Sequence, residues 1–445
     1  GHHHVGLTPV QLGSPDMPLE LWFITRMVIR NLDLYLDTLY SAFEMIASGI
    51  TTVQHIQGWM PGTQADVEKR AAETIRAYQD IGMRVSYCYA VRDQNRLVYQ
   101  ADEEFVASLP KELQGPMQRW FDRFKMGLGD AMDMFKSFHG KYQGERRVKI
   151  QLAPANLHWC SDPALAALSE ASAKYDVPMH MHLVETAYQK EYAWRRGQCT
   201  ALEYIDRFGM VNERLTLGHG VWLNQNDIDR LAVAGGCVCH NCSSNFRLRS
   251  GVAALNEFEK KGINTAIGLD EAGINDDRDM LQEMKLVLRA HRVPGMVEAD
   301  VPTMAQVLRM ATVGGAKTTP FGKSIGALEV GKAADMVLID WDKVAWPYLD
   351  EMTPTLDAVI QRAKNDAVTM TMCDGEVIYR DGTFTKVDRM AALKALHDDL
   401  NKALSDDEAE RRKLSVALLP YARKFYENYI DTSKHQPFYQ PSSMV

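Results

Sequence analysis

The chain alternates between short apolar segments and longer amphipathic segments. The short segments are four to seven residues long and end at polar or turn-forming residues, which predicts buried strands. The longer segments carry apolar residues three or four positions apart, which predicts helices with one buried face. We predict strands at residues 1–5, 50–55, 84–90, 148–153, 177–183, 215–219, 237–240 and 264–270.

Eight strands separated by helices predict an α/β fold, a (β/α)₈ TIM barrel, over residues 1–320. A mostly helical insertion at about residues 93–146 interrupts the alternation, and its methionine and aromatic side chains predict packing, as a lid or a subunit contact. Residues 321–387 are turn-rich and predict a small β-sandwich, with Asp374-Gly375 as a hairpin turn. Residues 388–445 are charged and helical, which predicts a helical C-terminal appendage at the surface.

The N-terminus reads Gly-His-His-His and has no initiating methionine. It continues without a linker into the rest of the chain, so a purification-tag remnant is the alternative to a genuine first strand. We expect that the chain begins within the protein, and that the N-terminal part of the sandwich is missing from it.

Composition excludes some classes of partner. The formal net charge is −8 with no basic cluster, which argues against nucleic acid and anionic membranes. No apolar run reaches the roughly 18 residues that cross a bilayer. Seven scattered cysteines predict reduced thiols and a cytoplasmic protein. Cys239 and Cys242 form a Cys-x-x-Cys, but without a second pair we do not predict a structural zinc site there.

The candidate chemistry begins in the fifth predicted strand, where His180 and His182 lie two residues apart and therefore share a face. Glu185 follows at the strand end. A lone pair of this kind is more often a hydrogen-bonded core feature than a metal site. Other strand ends carry further candidate ligands, His2 and His4, His219, and Asp270.

Catalytic groups of such barrels lie at the C-terminal ends of the strands, so these side chains are expected to converge. Nitrogen and carboxylate ligands suit zinc or ferrous iron. Each residue also has a plain alternative: a tag for His2 and His4, a core position for His219, and a helix cap for Asp270. Their joint placement favours a metal site.

The chain resembles the amidohydrolase superfamily, in the branch that contains triazine hydrolases and cytosine, guanine and adenosyl-homocysteine deaminases. Motifs over about residues 1–385 carry the resemblance: Gly-His-His-His at the start, Gly-Ile-Thr-Thr-Val (49–53), His-Met-His-Leu-Val-Glu-Thr (180–186), His-Asn-Cys-Ser-Ser-Asn (240–245) and Gly-Leu-Asp (268–270).

The resemblance implies roles for these residues. His2, His4, His182 and Asp270 would hold one divalent metal, most simply zinc, with iron as the alternative. Asp270 would also act as the base, Glu185 would shuttle protons, and His219 would hydrogen-bond the attacking water or the developing oxyanion. Binuclear relatives carry a carboxylated lysine at the end of the fourth strand, where this chain reads Leu-Ala-Pro-Ala, so a single metal is expected.

The implied activity is hydrolysis of a C–N bond in a small nitrogen heterocycle by metal-bound hydroxide, with deamination as the first hypothesis. Hydrolysis of an amide, urea, carbamate, C–S or C–Cl bond is the alternative within the superfamily, and a non-catalytic ligand-binding barrel is the alternative outside it. The expected partners are a small-molecule substrate and further copies of the chain.

Residues at the ends of the third and fourth strands and after Asp270 are candidates for substrate binding. Deaminases of this type commonly read Ala-Pro-His at the end of the fourth strand, but this chain has Ala155 instead of the histidine, which argues against a nucleoside-like or simple purine substrate. Arg92 is suited to a carboxylate or carbonyl group, and Glu271 to an amino or cationic group. The four candidates are Arg92, His158, Trp159 and Glu271.

Overall fold

The computed structural model describes residues 1–4, 6–435, 438, 439 and 442. Its larger part is a barrel of parallel strands surrounded by helices. The barrel strands are β1 (Thr52–Gln57), β2 (Arg84–Val91), β3 (Val148–Ile150), β4 (Ala153–Pro154), β5 (Met179–Leu183), β6 (Leu215–His219), β7 (Cys237–His240) and β8 (Asn264–Ile267).

The strands form two parallel sheets, β1 to β4 and β5 to β8, which single bridges join into a closed ring. On one side His3 bridges both His55 and Asp270, so the N-terminal segment occupies the position of the first strand. On the other side Leu152 bridges Met179. Counting the N-terminal segment and taking β3 with β4, the ring has the eight members that the sequence predicts.

Three predicted strands differ by more than a shift of about two residues at an end. The first is a single bridged residue, because the chain turns at once so that the amides of Gly6 and Leu7 donate to the Asp37 carboxylate; Val5 lies outside the described residues. The fourth is divided into β3 and β4. The eighth ends at Ile267, three residues before Asp270, whose φ of 55° is incompatible with a continuing strand.

The helices mostly follow the predicted amphipathic segments. They are α1 (Leu19–Thr25), α2 (Leu34–Ala47), α3 (Gln64–Ile81), α4 (Asp102–Ser108), α5 (Lys111–Phe121), α6 (Leu128–Tyr142), α7 (Asp162–Tyr175), α8 (Ala187–Gly197), α9 (Ala201–Asp206), α10 (Gln225–Ala234), α11 (Cys242–Arg247), α12 (Leu255–Lys260), α13 (Met280–Ala290), α14 (Met304–Arg309), α15 (Gly315–Lys317), α16 (Trp341–Ala345), α17 (Thr355–Arg362), α18 (Arg389–Leu400) and α19 (Asp406–Tyr426). No helix of the described residues is long and apolar enough to cross a membrane.

The small β region forms one antiparallel sheet, with β9 (Met336–Ile339), β10 (Val368–Cys373), β11 (Glu376–Arg380) and β12 (Thr383–Phe384) in the order β12-β11-β10-β9. Asp374 and Gly375 turn between β10 and β11 with φ of 54° and 82°, as the predicted hairpin requires. The described residues form a single sheet instead of the predicted sandwich. Helix α2 of the barrel packs on this sheet, where the Thr371 hydroxyl donates to the Ile46 carbonyl.

The insertion is divided between two packing environments. Phe135 and Phe138 of α6 belong to the main barrel core, whereas Phe105 and Phe121 of α4 and α5 pack with α1 and α19 in a second cluster. The expected surface appendage therefore has a buried face, since Leu418 of α19 is fully covered in this second cluster. These helices lie on the side of the barrel where the strands end.

Candidate metal centre

Four side chains from three segments converge at the C-terminal ends of the strands. His4 Nε2 lies 3.0 Å from both His2 Nε2 and His182 Nε2. Asp270 Oδ1 lies 3.3 Å from His4 Nε2 and 3.5 Å from His2 Nε2. Since the segments are joined only through the barrel, the closure of the ring is what brings these atoms together.

Hydrogen bonds on the far side of each ring fix the histidine tautomers. His4 Nδ1 donates to the Ile56 carbonyl at 2.8 Å, and His182 Nδ1 donates to the Ala155 carbonyl at 2.7 Å. His2 Nδ1 lies 2.8 Å from His180 Nε2, so His180 is placed to orient the His2 ring. With the protons at Nδ1, the Nε2 lone pairs of the three rings face the common centre.

Two glycines provide the space for His2. A Cβ at Gly218 would lie 3.1 Å from His2 Cε1, and a Cβ at Gly268 would lie 2.6 Å from His2 Cβ. A side chain at position 268 would therefore displace His2, and one at position 218 would press against its ring. The Leu-Gly-His and Ile-Gly-Leu-Asp sequences supply glycine at both positions.

The second group of functional side chains lies beside the first. His219 Nε2 is 3.6 Å from Glu185 Oε2 and 3.6 Å from Asp270 Oδ2. Asn245 Oδ1 accepts from His219 Nδ1 at 2.8 Å, and Asn241 Nδ2 lies 3.3 Å from His219 Nε2. His219 therefore presents Nε2 to both carboxylates.

Hydroxyl groups hold the two carboxylates in place. Ser244 donates to Asp270 Oδ2 at 2.7 Å, and Ser250 donates to Glu185 Oε1 at 3.1 Å. The Glu185 amide in turn donates to Gln189 Oε1 at 2.8 Å. Glu185 is thereby left with Oε2 directed toward His219, whereas the Asp270 oxygen held by Ser244, Oδ2, is itself the one that faces His219.

The backbone is strained at three of these strand ends. Val184, His219 and Asp270 all have positive φ, at 44°, 74° and 55°. A left-handed conformation costs a residue with a side chain roughly 1–2 kcal/mol, and such strain is concentrated at functional sites. The strained positions follow β5, β6 and β8, and they turn the side chains of the strand ends toward one point.

Burial controls the protonation of the centre. It lowers the pKa of His4 to about 3 and the pKa of His182 well below its usual value, so both rings are neutral near pH 7. Burial raises the pKa of Glu185 to about 7, against the opposing effect of His219. For Asp270, burial acts upward, but the electrostatic interaction with His2, His4 and His219 holds the pKa well below its usual value.

The residues fit a divalent metal ion. Tetrahedral zinc with bonds of about 2.0–2.1 Å has neighbouring ligand atoms about 3.3 Å apart. The nitrogen and oxygen atoms of His2, His4, His182 and Asp270 lie at 3.0–3.5 Å in the pairs given above. Lone pairs of neutral imidazoles facing one another at these distances repel unless a cation lies between them.

A cavity of about 390 Å³ opens from this centre, lined by His4, His182, Glu185, His219 and Asp270 among others. Two of the predicted substrate-binding residues, Arg92 and Trp159, line it together, with the Arg92 guanidinium 3.6 Å from the centre of the Trp159 ring. Among the arginines that line the described part of the cavity, Arg92 alone has no hydrogen bond or ion pair to a described residue. Burial lowers the pKa of Arg92 to about 10.

The other two predicted substrate-binding residues are placed differently. Glu271 lines the cavity, but Arg26 forms an ion pair with its carboxylate, so it is not free to meet an amino group. His158 is not among the described residues that line the cavity, because its ring is buried between Tyr99 and Trp159, with centroids 4.2 Å and 4.3 Å away. His158 therefore does not contact a ligand in this cavity.

Comparison with known proteins agrees with this geometry. Residues 1–378 match the family model described as Amidohydrolase family. The chain belongs to the amidohydrolase family. This match confirms the resemblance to that superfamily and the predicted fold, a barrel with a small β domain. It also confirms the predicted class, a metal-dependent hydrolase that acts on carbon–nitrogen bonds.

Individual relatives of this amidohydrolase are deaminases and triazine hydrolases. It is 30% identical over 400 residues to a 5'-deoxyadenosine deaminase of Methanopyrus kandleri, covering 88% of this chain and 82% of that protein. It is 26% identical over 393 residues to a 5-methylthioadenosine/S-adenosylhomocysteine deaminase of Acetivibrio thermocellus, covering 87% and 81%. The fold is similar to that of atrazine chlorohydrolase from Arthrobacter aurescens complexed with zinc, with a TM-score of 0.76, 20% identity, and 89% and 86% of the two chains covered.

Sequence reasoning missed several residues that shape this amidohydrolase site. Ser244 and Asn245 stand inside the quoted 240–245 motif, and its cluster of hydroxyl and amide residues was the available signal. Ser250 and Gln189 carried no signal, because their contacts with Glu185 depend on the loops after β5 and β7. The backbone carbonyls that orient His4 and His182 are likewise independent of residue type.

Proposed function

We propose that the protein is a mononuclear deaminase of a small amino-substituted nitrogen heterocycle. One observation carries the proposal. Side-chain nitrogen and oxygen atoms of His2, His4, His182 and Asp270 lie 3.0–3.5 Å from one another in four pairs, as ligand atoms around one ion do, and Glu185 lines the same cavity. Zinc is the proposed ion, because three imidazole nitrogens and one carboxylate oxygen are its typical ligands. When bound, such an ion lowers the pKa of a water molecule toward neutrality.

The remaining steps belong to the side chains of the chain itself. Asp270 Oδ2, held by Ser244 at 2.7 Å, is placed to accept the proton of the attacking water. His219 Nε2, 3.6 Å from that oxygen, hydrogen-bonds the water or the oxyanion that develops on the substrate. Glu185 delivers its proton to the ring nitrogen and regains one from the added hydroxyl group as the product carbonyl forms, while the proton that Asp270 accepted from the water passes to the departing amine, which leaves as ammonia. A pKa of about 7 suits a group that must lose and regain a proton near neutral pH.

The substrate is proposed to be a planar heterocycle with a carbonyl or carboxylate oxygen. The Arg92 guanidinium, which lies over the Trp159 ring and has no ion pair to a described residue, offers two parallel N–H donors to such an oxygen. Amino-group removal, not chloride or thiol release, is favoured by the two curated relatives, whose names are those of deaminases. Alanine at position 155 distinguishes this pocket from the common Ala-Pro-His pattern, which favours a substrate other than a simple purine.

We also propose the division of the chain into a catalytic barrel at 1–320, a β domain at 321–387 and C-terminal helices at 388–445. A cytoplasmic location is supported by the seven cysteines, all of which are free thiols. A homo-oligomer is supported by apolar side chains exposed in one stretch, Leu328, Val330, Trp346 and Met352. Light scattering after size-exclusion chromatography tests the last point, and a monomer at micromolar concentration would contradict it.

The decisive experiment is a screen of amino-substituted heterocycles with zinc-loaded protein and ammonia detection. We expect stoichiometric ammonia release from at least one compound, and loss of that release after chelation. The matched variant His182→Ala should abolish ammonia release and the metal of this centre together. Release of chloride, thiol or an organic amine from a related compound, with no ammonia from any, would reject deamination and retain the hydrolase class.

A further inference from the structure

A second cluster of metal-binding side chains lies outside the catalytic cavity. Along β7 the Cys239 side chain faces the barrel interior, where its sulfur lies close to Gly1 and Gly268. Because neighbouring strand residues face opposite ways, His240 faces the surrounding helices. Cys242 begins α11, and His291 follows α13.

The three side chains meet in a buried position. One ligating atom each of His240, Cys242 and His291 lies within 4.8 Å of the other two, and His240 Nε2 is 2.8 Å from His291 Nε2. Their exposed fractions are 1%, 1% and 0%. This arrangement repeats the feature seen at the catalytic centre, where imidazole nitrogens face each other at about the same distance.

A simple hydrogen bond between the two imidazoles accounts for only part of the cluster. It pairs the Nε2 atoms of the two rings and does not involve the sulfur atom. It also leaves the position of the Cys242 thiol beside the rings without a role. Burying this many polar atoms is unfavourable unless a stronger interaction compensates.

The chemistry of the three groups suits a borderline-soft dication. Burial lowers the pKa of His240 well below its usual value and that of His291 to about 4, so both rings are neutral ligands. Burial raises the pKa of the Cys242 thiol, so a bound ion would have to displace its proton, as thiol-coordinating ions do. The Glu283 carboxylate, which accepts the Ser243 amide at 3.0 Å, acts electrostatically on Cys242 and adds negative charge.

We propose that His240, Cys242 and His291 bind a second zinc ion, whose three protein ligands leave the fourth position to a water molecule. The site would fasten the end of β7 and the beginning of α11 to the end of α13. Helix α11 carries Ser244 and Asn245, which hold Asp270 and His219, so the second ion would stabilise the catalytic geometry without contacting substrate.

Cobalt substitution separates the two centres, because only the second contains sulfur. Protein loaded with Co²⁺ should hold two ions per chain and show a near-ultraviolet sulfur-to-cobalt charge-transfer band. Cys242→Ser and His291→Asn should each lose one ion and the band. His182→Ala should lose the other ion and keep the band. The matched control is Cys237→Ser, which replaces a buried cysteine of β7 and should keep both ions.

One cobalt ion per chain without the band in the wild-type protein, or a band that persists in Cys242→Ser, would overturn the proposal. If Cys242→Ser does not fold, X-ray absorption of the zinc-loaded wild-type protein replaces it. A sulfur scatterer at about 2.3 Å is expected, and its absence would equally overturn the second site. None of these measurements depends on turnover, so they remain decisive whether or not the protein proves to be a deaminase.

Discussion

Glu185 is the residue whose replacement tests the catalytic proposal most directly. In Glu185→Gln the amide oxygen can still accept the Ser250 hydroxyl, which lies 3.1 Å from Oε1, so the fold and the neighbouring metal ligands should be unaffected. What is lost is proton transfer. General acid–base catalysis contributes about 10²- to 10⁴-fold, which corresponds to about 3–5 kcal/mol of transition-state stabilisation. We expect kcat and kcat/KM to fall together by that factor, with KM little changed.

The pH dependence provides a second measurement on the same residue. A proton donor must be protonated, and the pKa of Glu185 is raised to about 7 by burial. As pH rises through that value the protonated fraction falls, so kcat/KM of the wild-type protein should decrease on the alkaline side of about pH 7. The Glu185→Gln variant should lack this alkaline decrease, because its side chain does not titrate.

Ammonia release under steady-state conditions, with metal content measured on the same samples, is the assay. Glu20→Gln is the matched control, since Glu20 is also a buried glutamate but is hydrogen-bonded to Thr186 and Tyr99 and is not among the described residues lining the cavity. It should retain most activity. A Glu185→Gln protein with full metal content and a rate within about tenfold of wild type would refute the role of Glu185 as proton shuttle.

Three further substitutions test the site and its support. His182→Ala removes one proposed ligand and should lower the metal content by about one ion per chain, measured by elemental analysis. Arg92→Met should lower kcat/KM about 10- to 100-fold, mainly through KM, because a hydrogen bond to a charged group contributes about 1.5–3 kcal/mol. Arg84→Met leaves Asp335 buried without its ion-pair partner and should reduce the free energy of unfolding by about 3–5 kcal/mol, seen as a lower Tm.

Each of these expectations has an outcome that would contradict it. Unchanged metal occupancy would remove His182 from the ligand set. For Arg92, recovery of normal KM by Arg92→Lys would show that charge alone suffices, since lysine lacks the planar guanidinium. For Arg84, the control is Arg146→Met. Arg146 pairs with Asp374, but its guanidinium is exposed, so loss of this ion pair should lower the free energy of unfolding by under about 1 kcal/mol. Equal effects of the two substitutions would refute the argument from burial.

The sequence alone determined the alternation of the elements and most of their bounds. The predicted strands at 215–219 and 237–240 coincide with β6 and β7, because apolar runs between polar turns depend on local pattern. The rule that strand ends of a barrel meet at one mouth then grouped His2, His4, His182, His219 and Asp270 before any distance was known, and the family resemblance implied which four of them are metal ligands. The residue types at these strand ends were sufficient to predict a metal site, because burying several imidazoles together is unfavourable unless they bind an ion.

The tertiary structure decided what depends on contacts between distant segments. His158 and Trp159 are adjacent in sequence, yet only Trp159 reaches the cavity, because the packing of Tyr99 takes up the His158 ring. Glu271 has the right charge for an amino group, but a partner 245 residues away, Arg26, neutralises it. The second His and Cys cluster depends on His291, which has no motif around it. Such features are set by which helix packs on which strand, and a local pattern of residues holds no information about the far partner.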